Sequence, residues 1–205
     1  MQKAYLFDID GVLVHHENWF FEYFSKSYSP DALSVLKQYC DGADIIKCDR
    51  GLADSFQLIE PYLRKIGYSG SIENFFNLKN SFESEGIDRD ALNKIRELKR
   101  RGNKCFIGSN QDKRRKSYLK KVLHLDEIVN ESYFSCDFGF VKPENEYWEI
   151  VHKKIDKHIN QISAQNIVFF DDREDNIESA RKYGFTGIKI ENRTRIHKEL
   201  DILLS

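Results

Sequence analysis

A chain of 205 residues with 40% hydrophobic and 13% aromatic content can bury a core domain that carries a smaller insertion. Its 33 acidic and 32 basic residues leave a formal net charge of -1, which excludes the global basic excess of a dedicated nucleic-acid binder. No apolar run approaches the roughly 18 residues of a membrane span, and Asp8 and Asp10 interrupt the first apolar stretch, which a signal-peptide core does not tolerate; the expected address is the cytoplasm, with no membrane partner.

The first apolar run, "AYLF" at 4–7, reads as a strand buried on both faces and runs directly into Asp8, Asp10 and Gly11. From 16 to 87 the strand signal disappears, and four amphipathic helical patterns follow: "ENWFFEYFSKSY", "PDALSVLKQYC", "LADSFQLIEPYLRKIG" and "SIENFFNLKNSF". Pro61 predicts a kink or a division in the third. Trp19, Phe20, Phe21, Tyr23 and Phe24 read as the core of this helical segment. From Asp90, "DALNKIRELKRRGN" spaces Leu92, Ile95 and Leu98 on one face, with Asp90 as N-cap and Gly102 as the stop.

A second strand at 104–108 leads into Ser109 and Asn110, and a helix begins at Tyr118. A third strand at 132–136 precedes Lys142 in "GFVKPE" and a helix from Glu146. The fourth, 166–170, ends in Asp171 and Asp172, followed by a helix from Glu174 closed by Gly184 and a fifth strand at 186–190. This alternation predicts an α/β fold: a doubly wound (Rossmann-like) parallel sheet core, residues 1–15 and 88–205, with a small α-helical cap domain inserted at 16–87. Cys40, Cys48, Cys105 and Cys136 lack the paired spacing of a zinc site or a disulfide framework, and reduced thiols fit a cytoplasmic address.

Ligands of open α/β sheets bind outside the carboxyl ends of the strands, so the groups following each strand are expected on one rim. Asp8, Asp10, Asp171 and Asp172 cannot all stay ionised at close quarters without a counter-charge. Oxygen donors without a histidine or thiolate cluster favour a hard cation, Mg2+, and Lys142, Ser109 and Asn110 add the charge and donors that cradle phosphate. Each feature has an ordinary alternative: Asp-Gly turns, helix caps at Ser109, Asn110, Asp171 and Asp172, a solvated loop lysine. Their coincidence at four strand ends in a complementary set outweighs these.

The four segments in this order resemble the haloacid dehalogenase-like superfamily, over nearly the whole chain: "DIDGVLV", Ser109 in "IGSN", Lys142 in "VKP" and "FFDDREDN". The resemblance is strongest to its helical-cap subclass, in the branch of sugar-phosphate phosphatases and epoxide-hydrolase phosphatase domains. It implies a phosphatase acting on a small-molecule phosphate ester, with Asp8 as nucleophile, Asp10 as the acid and base two residues on, and Lys142, Ser109 and Asn110 stabilising the transferring group. It further implies Mg2+ held by Asp8, the backbone carbonyl of Asp10 and Asp172, with Asp171 as a ligand or just behind. Asn145 stands where relatives often carry proline, a change expected to affect only a helix start.

A true dehalogenase has no use for Asp10, whereas a phosphomutase shares every core motif and differs in its cap. A signalling receiver domain places its acid pair first, and here the pair comes last. The basic run of Lys99, Arg100, Arg101, Lys104, Lys113, Arg114, Arg115, Lys116, Lys120 and Lys121 offers a nucleic-acid reading, against which stands a solvated helix face on a nearly neutral chain. For substrate choice the expected contact loop is "IIKCDRG", with Lys47, Asp49 and Arg50; Asp49 alternatively reads as the N-cap of the next helix.

Overall fold

The computed structural model describes residues 2–16 and 19–205. Five strands, β1 (Ala4–Phe7), β2 (Lys104–Ser109), β3 (Glu131–Phe134), β4 (Ile167–Asp171) and β5 (Thr186–Lys189), form an all-parallel sheet in the order β3-β2-β1-β4-β5. Every residue of β1 and β4 is buried, so both faces are covered and the near-continuous apolar runs are explained. Alternate residues serve opposite faces. Tyr5, Phe7, Cys105, Ile107, Val168 and Phe170 pack toward α6 (Arg89–Arg100), α7 (Lys113–Leu123), α8 (Leu125–Ile128) and α11 (Arg193–Leu204). Ala4, Leu6, Phe106, Ile167 and Phe169 pack toward α9 (Asn145–Asp156) and α10 (Glu174–Tyr183). Phe7 pairs with both Ile107 and Phe170, which aligns Asp8, Gly108 and Asp171 one residue further on. Strand order reverses at β1, and the crevice of an open sheet lies there.

Between β1 and α6 lie α1 (Phe20–Ser25), α2 (Ala32–Cys40), α3 (Ala43–Asp49), α4 (Ser55–Lys65) and α5 (Ile72–Glu85). These helices share a core of their own, built from Phe20, Phe21, Phe24, Leu36, Ile59, Leu63 and Phe75 among others. Trp19 and Tyr23, expected there, are 40% and 51% exposed. Glu17 and Asn18, the first residues of the first helical pattern, lie outside the described residues. Among the described residues no helix is long and apolar enough to cross a membrane.

Several local expectations are corrected. The expected contact loop, residues 45–51, is mostly helical: its first five residues belong to α3. Pro61 neither divides nor ends α4, because Pro61 and Gln57, whose carbonyl loses its intrahelical partner, both sit on the exposed side where water can satisfy it. β3 ends at Phe134 because the next residue, Ser135, accepts a hydrogen bond on its hydroxyl from the Gln111 backbone N–H at 3.0 Å and turns the chain, leaving Cys136 in a short 3-10 turn. α7 starts at Lys113, five residues before Tyr118, under the Asp112 cap. α11 has no counterpart among the predicted elements.

The N-cap of α6 is Asp88, not Asp90; its carboxylate accepts from the Ala91 N–H at 3.0 Å. Asp88 also meets Arg193 Nε at 3.1 Å and His197 Nε2 at 3.0 Å on α11. The two crossings between core and insertion pair here, with His15 N donating to Gly86 O and Asp88 N to Leu13 O, both at 2.8 Å. Burial alone would raise the Asp88 pKa, but the Ala91 N–H, His197 and Arg193 outweigh it and hold it below the ordinary carboxylate value. Its stabilisation is therefore complete above the ordinary carboxylate range and is lost as pH falls through the lowered folded value. Asp88→Ala is expected to cost about 2 kcal/mol in urea unfolding at neutral pH, from the lost cap and ion pairs. The difference from wild type should shrink in acid.

Candidate active site

The sheet delivers its four motifs to one point. Lys142, 3% exposed, places Nζ 3.0 Å from Asp8 Oδ2 and 2.6 Å from Asp171 Oδ2, and donates to Gly108 O at 3.1 Å. Three acceptors for three ammonium protons satisfy the buried charge fully. Asp8 Oδ1 accepts from the Ile9 N–H at 2.8 Å, and Ser109 donates to the same carboxylate. Asp171 is fully buried: its oxygens also accept from Asn176 Nδ2, each at 3.1 Å, and Oδ1 from the Arg173 N–H at 2.8 Å.

Oxygens of Asp8, Asp171 and Asp172 lie within 4.8 Å of one another. Burial pushes the Asp8 carboxyl well above its ordinary range; the Lys142 ammonium pulls it back and the Asp171 charge adds to the rise. Burial and the Asp171 charge raise Asp172 to about 6. Burial would lower the Lys142 pKa, but Asp171 and Asp8 outweigh it and keep the group an ammonium. Three carboxylates against one lysine leave an excess of negative charge among hard oxygen donors, and a divalent cation of the Mg2+ type fits that set. Gly11 permits the approach: it holds a φ of 77°, and a Cβ there would lie 2.4 Å from Asp172 Cγ.

Asp10 stands apart from this cluster. Its side chain is 56% exposed, into a cavity of about 1070 Å³ lined by both the core and the insertion. Gln111 Nε2 donates to Asp10 Oδ2 at 2.7 Å and to Ser109 Oγ at 3.0 Å, and Arg115 Nη2 lies 3.6 Å from Asp10 Oδ1. Burial would raise the Asp10 pKa, but Arg115, Gln111 and Lys79 outweigh it and hold it below the ordinary value.

Of the other expected site residues, Ser109 is 1% exposed beside Asp8. Asn110 is used differently: its amide donates to Lys142 O at 3.0 Å and accepts from Lys142 N at 2.9 Å, so it clasps the lysine backbone instead of offering itself chiefly to an anion. Lys47 faces away and pairs with Asp44 at 3.1 Å. Arg50 anchors the insertion to the loop that carries Lys142 through an ion pair with Glu144 and a hydrogen bond to Gly139 O at 3.2 Å. Of the three, Asp49 lines the cavity, and it does not cap α4, whose N-cap is Asp54. The basic run is largely paired internally: Arg114 with Asp54, Lys116 with Asp137, Lys120 with Asp126, Arg100 and Arg101 with Glu97.

Sequence reasoning missed Gln111, Arg115, Ser135 and Asn176. Gln111 had a usable signal, since it lies two residues beyond Ser109 and alternate residues of an extended segment share a side. Arg115, 7% exposed, was hidden within a run of cations that look alike in sequence.

The family model of haloacid dehalogenase-like hydrolases matches residues 2–184. A predicted hydrolase of that type from Porphyromonas gingivalis superposes with a TM-score of 0.77 at 19% identity, covering 100% of this chain and 98% of that one. A family enzyme from Bacteroides thetaiotaomicron, an aspartate-to-alanine mutant in complex with magnesium and inorganic phosphate, gives 0.74 at 19% identity over 92% and 94% of the two chains. The L-2-haloacid dehalogenase of Xanthobacter autotrophicus, with chloropropionic acid covalently bound, gives 0.65 at 15% identity over 98% and 83%. At these identities the likeness is one of fold.

Removing the lysine isolates two buried acids. Lys142→Met is expected to destabilise the protein by about 3 kcal/mol in urea unfolding at pH 7. The deficit should narrow in acid, where Asp8 protonates and no longer needs the partner; a stability equal to wild type at pH 7 would contradict the ion-pair account.

Proposed function

Because the chain belongs to the haloacid dehalogenase-like hydrolases, we propose that it is a Mg2+-dependent phosphatase of small phosphorylated metabolites working through an aspartyl-phosphate. The observation that carries this reading is Asp10, held by Gln111 at 2.7 Å at the floor of the cavity, apart from the cation cluster. Dehalogenation has no leaving oxygen to protonate, and an acid at this position serves phosphate-ester cleavage.

Asp8 Oδ attacks phosphorus as the bond to the leaving oxygen breaks, and a proton from Asp10 neutralises that oxygen. Water then attacks the phosphorus, giving a proton back to Asp10, and the Asp8–phosphorus bond breaks to release inorganic phosphate. Lys142 and Ser109 stabilise charge on the transferring group, and Asn110 and Asp171 keep Lys142 in place. Asp8 and Asp172, with the backbone carbonyl of Asp10, would hold Mg2+, while the saturated hydrogen bonding of Asp171 suits it to a place behind them. Bound there, the cation supplies Lewis-acid charge to the phosphoryl oxygens.

The helical insertion serves as the cap that roofs the cavity and selects the leaving group. Asp49 on α3 is its candidate contact: the side chain lines the cavity, and among the described residues no hydrogen bond or ion pair reaches it. Burial, then the charges of Asp112 and Asp10, push it up to about 7. A hydroxyl or ammonium on the leaving group would meet this carboxyl. Residence in the cytoplasm accords with this substrate class.

Phosphate release from p-nitrophenyl phosphate and a panel of sugar and nucleoside monophosphates is expected with Mg2+ and not with chelator, and Asp8→Asn should abolish it while melting within a few degrees of wild type. Release that survives in Asp8→Asn would remove the nucleophile, and conversion of one sugar phosphate into its isomer without release would favour a mutase. Asp49→Asn is expected to lower kcat/KM about tenfold, the worth of one hydrogen bond to a charged group, for the preferred ester while sparing p-nitrophenyl phosphate. Equal loss on both would separate Asp49 from selectivity.

A further inference from the structure

Arg115 has no assigned task in the chemistry above, yet it reaches both the core acid and the insertion. It sits in the first turn of α7, 7% exposed, with its guanidinium packed 5.6 Å from the Tyr118 ring centroid. Nη2 faces Asp10 Oδ1 at 3.6 Å on the core side. Nη1 faces Glu83 Oε2 at 3.0 Å and donates to Asn80 Oδ1 at 3.3 Å, both on α5. Tyr118 reinforces the same junction, its hydroxyl bonding Ser84 and donating to Asn80 O at 3.1 Å. Glu83 is further held by Lys79 at 2.5 Å.

We propose that Arg115 is a positioning residue that fixes the Asp10 carboxyl from the side opposite Gln111, and that α5 aligns the guanidinium for this task through Glu83 and Asn80. The physical reason is geometric. Gln111 restrains one Asp10 oxygen and leaves rotation of the carboxyl about that contact; a planar, buried guanidinium against the other oxygen removes it. A guanidinium on a long side chain would itself wander, and two acceptors from α5 stop that. Proton delivery to a leaving oxygen requires a heavy-atom approach of about 3 Å, so a carboxyl free to turn transfers its proton less often. The insertion thereby acts on the chemistry as well as on the choice of substrate.

The inference rests on the phosphatase reading, and its test separates the two. Wild type, Arg115→Met, Arg115→Lys and Glu83→Gln are assayed on p-nitrophenyl, phenyl and p-methoxyphenyl phosphate with Mg2+, beside Asp10→Asn. Esters with poorer leaving groups depend more on the proton. Arg115→Met should therefore lose about tenfold more kcat/KM on phenyl and p-methoxyphenyl phosphate than on p-nitrophenyl phosphate, a part of the roughly 10²–10⁴-fold that positioned proton transfer supplies. Arg115→Lys should recover some of it, and Glu83→Gln should show a smaller loss with the same leaving-group dependence. A loss equal across the three esters, or one confined to KM, would overturn the proposal and make Arg115 a structural or substrate-binding group. A Glu83→Gln variant indistinguishable from wild type would overturn the part played by α5. Should Arg115→Met fail to fold, Arg115→Lys and Glu83→Gln decide the matter by the same criterion. If the wild type hydrolyses no ester, it is the phosphatase reading that fails.

Discussion

One buried lysine between two buried carboxylates organises this molecule. Lys142 arrives on the loop after β3, Asp8 on β1 and Asp171 on β4, so the triad forms only when strands distant in sequence have paired in register. Such a cluster is costly in a low-dielectric interior, and its members persist because every ammonium proton has an acceptor and the Asp171 oxygens are met from several sides. The remaining excess of negative charge is what a bound cation would offset.

The second organising feature is the division of labour between two aspartates that are near neighbours in sequence. Asp8 is buried in the lysine cluster, whereas Asp10 leans out of it into the cavity beneath the helical insertion. Lys142 pulls at the first; Gln111 and Arg115 hold the second. Different surroundings push the two pKa values apart in the ligand-free site, upward for Asp8 through burial and downward for Asp10 through Arg115 and Gln111; a cation beside Asp8 would lower the first and an anionic ester beside Asp10 would raise the second, toward the proposed roles of nucleophile and acid. Arg50, Arg114 and Arg115 each cross from one part of the molecule to the other, and the last two, drawn from the basic run, stitch the insertion to the core.

Much of this was legible in the sequence, and the reasons are physical. A strand buried on both faces must be nearly all apolar, so "AYLF" and "IVFF" declared themselves, and charged residues at their ends had no packing reason to be there. The four acids, Ser109 and Lys142 could be assembled from strand order alone. What escaped depended on tertiary context. Asp88 and Asp90 are equally good caps by type, and Asp88 prevails because α11 brings Arg193 and His197 to it. The residues of α3 looked like a loop because seven residues give little periodicity, and Pro61 looked like a break because its exposed setting was not visible. Arg115 differs from Arg114 only in the direction its side chain takes from the helix: Arg114 lies over Phe56 and pairs with Asp54, while Arg115 turns inward.

The claim on which the account stands is that Asp8 itself carries the phosphoryl group. Acid quenching of the enzyme during turnover of a phosphate monoester with Mg2+, followed by proteolysis and mass spectrometry, tests it directly. The account predicts an acid-stable, hydroxylamine-labile phosphoryl group on the peptide containing Asp8, present in wild type and absent from Asp8→Asn. Turnover with no such adduct at any quench time, or with the phosphoryl group on another residue, would contradict it.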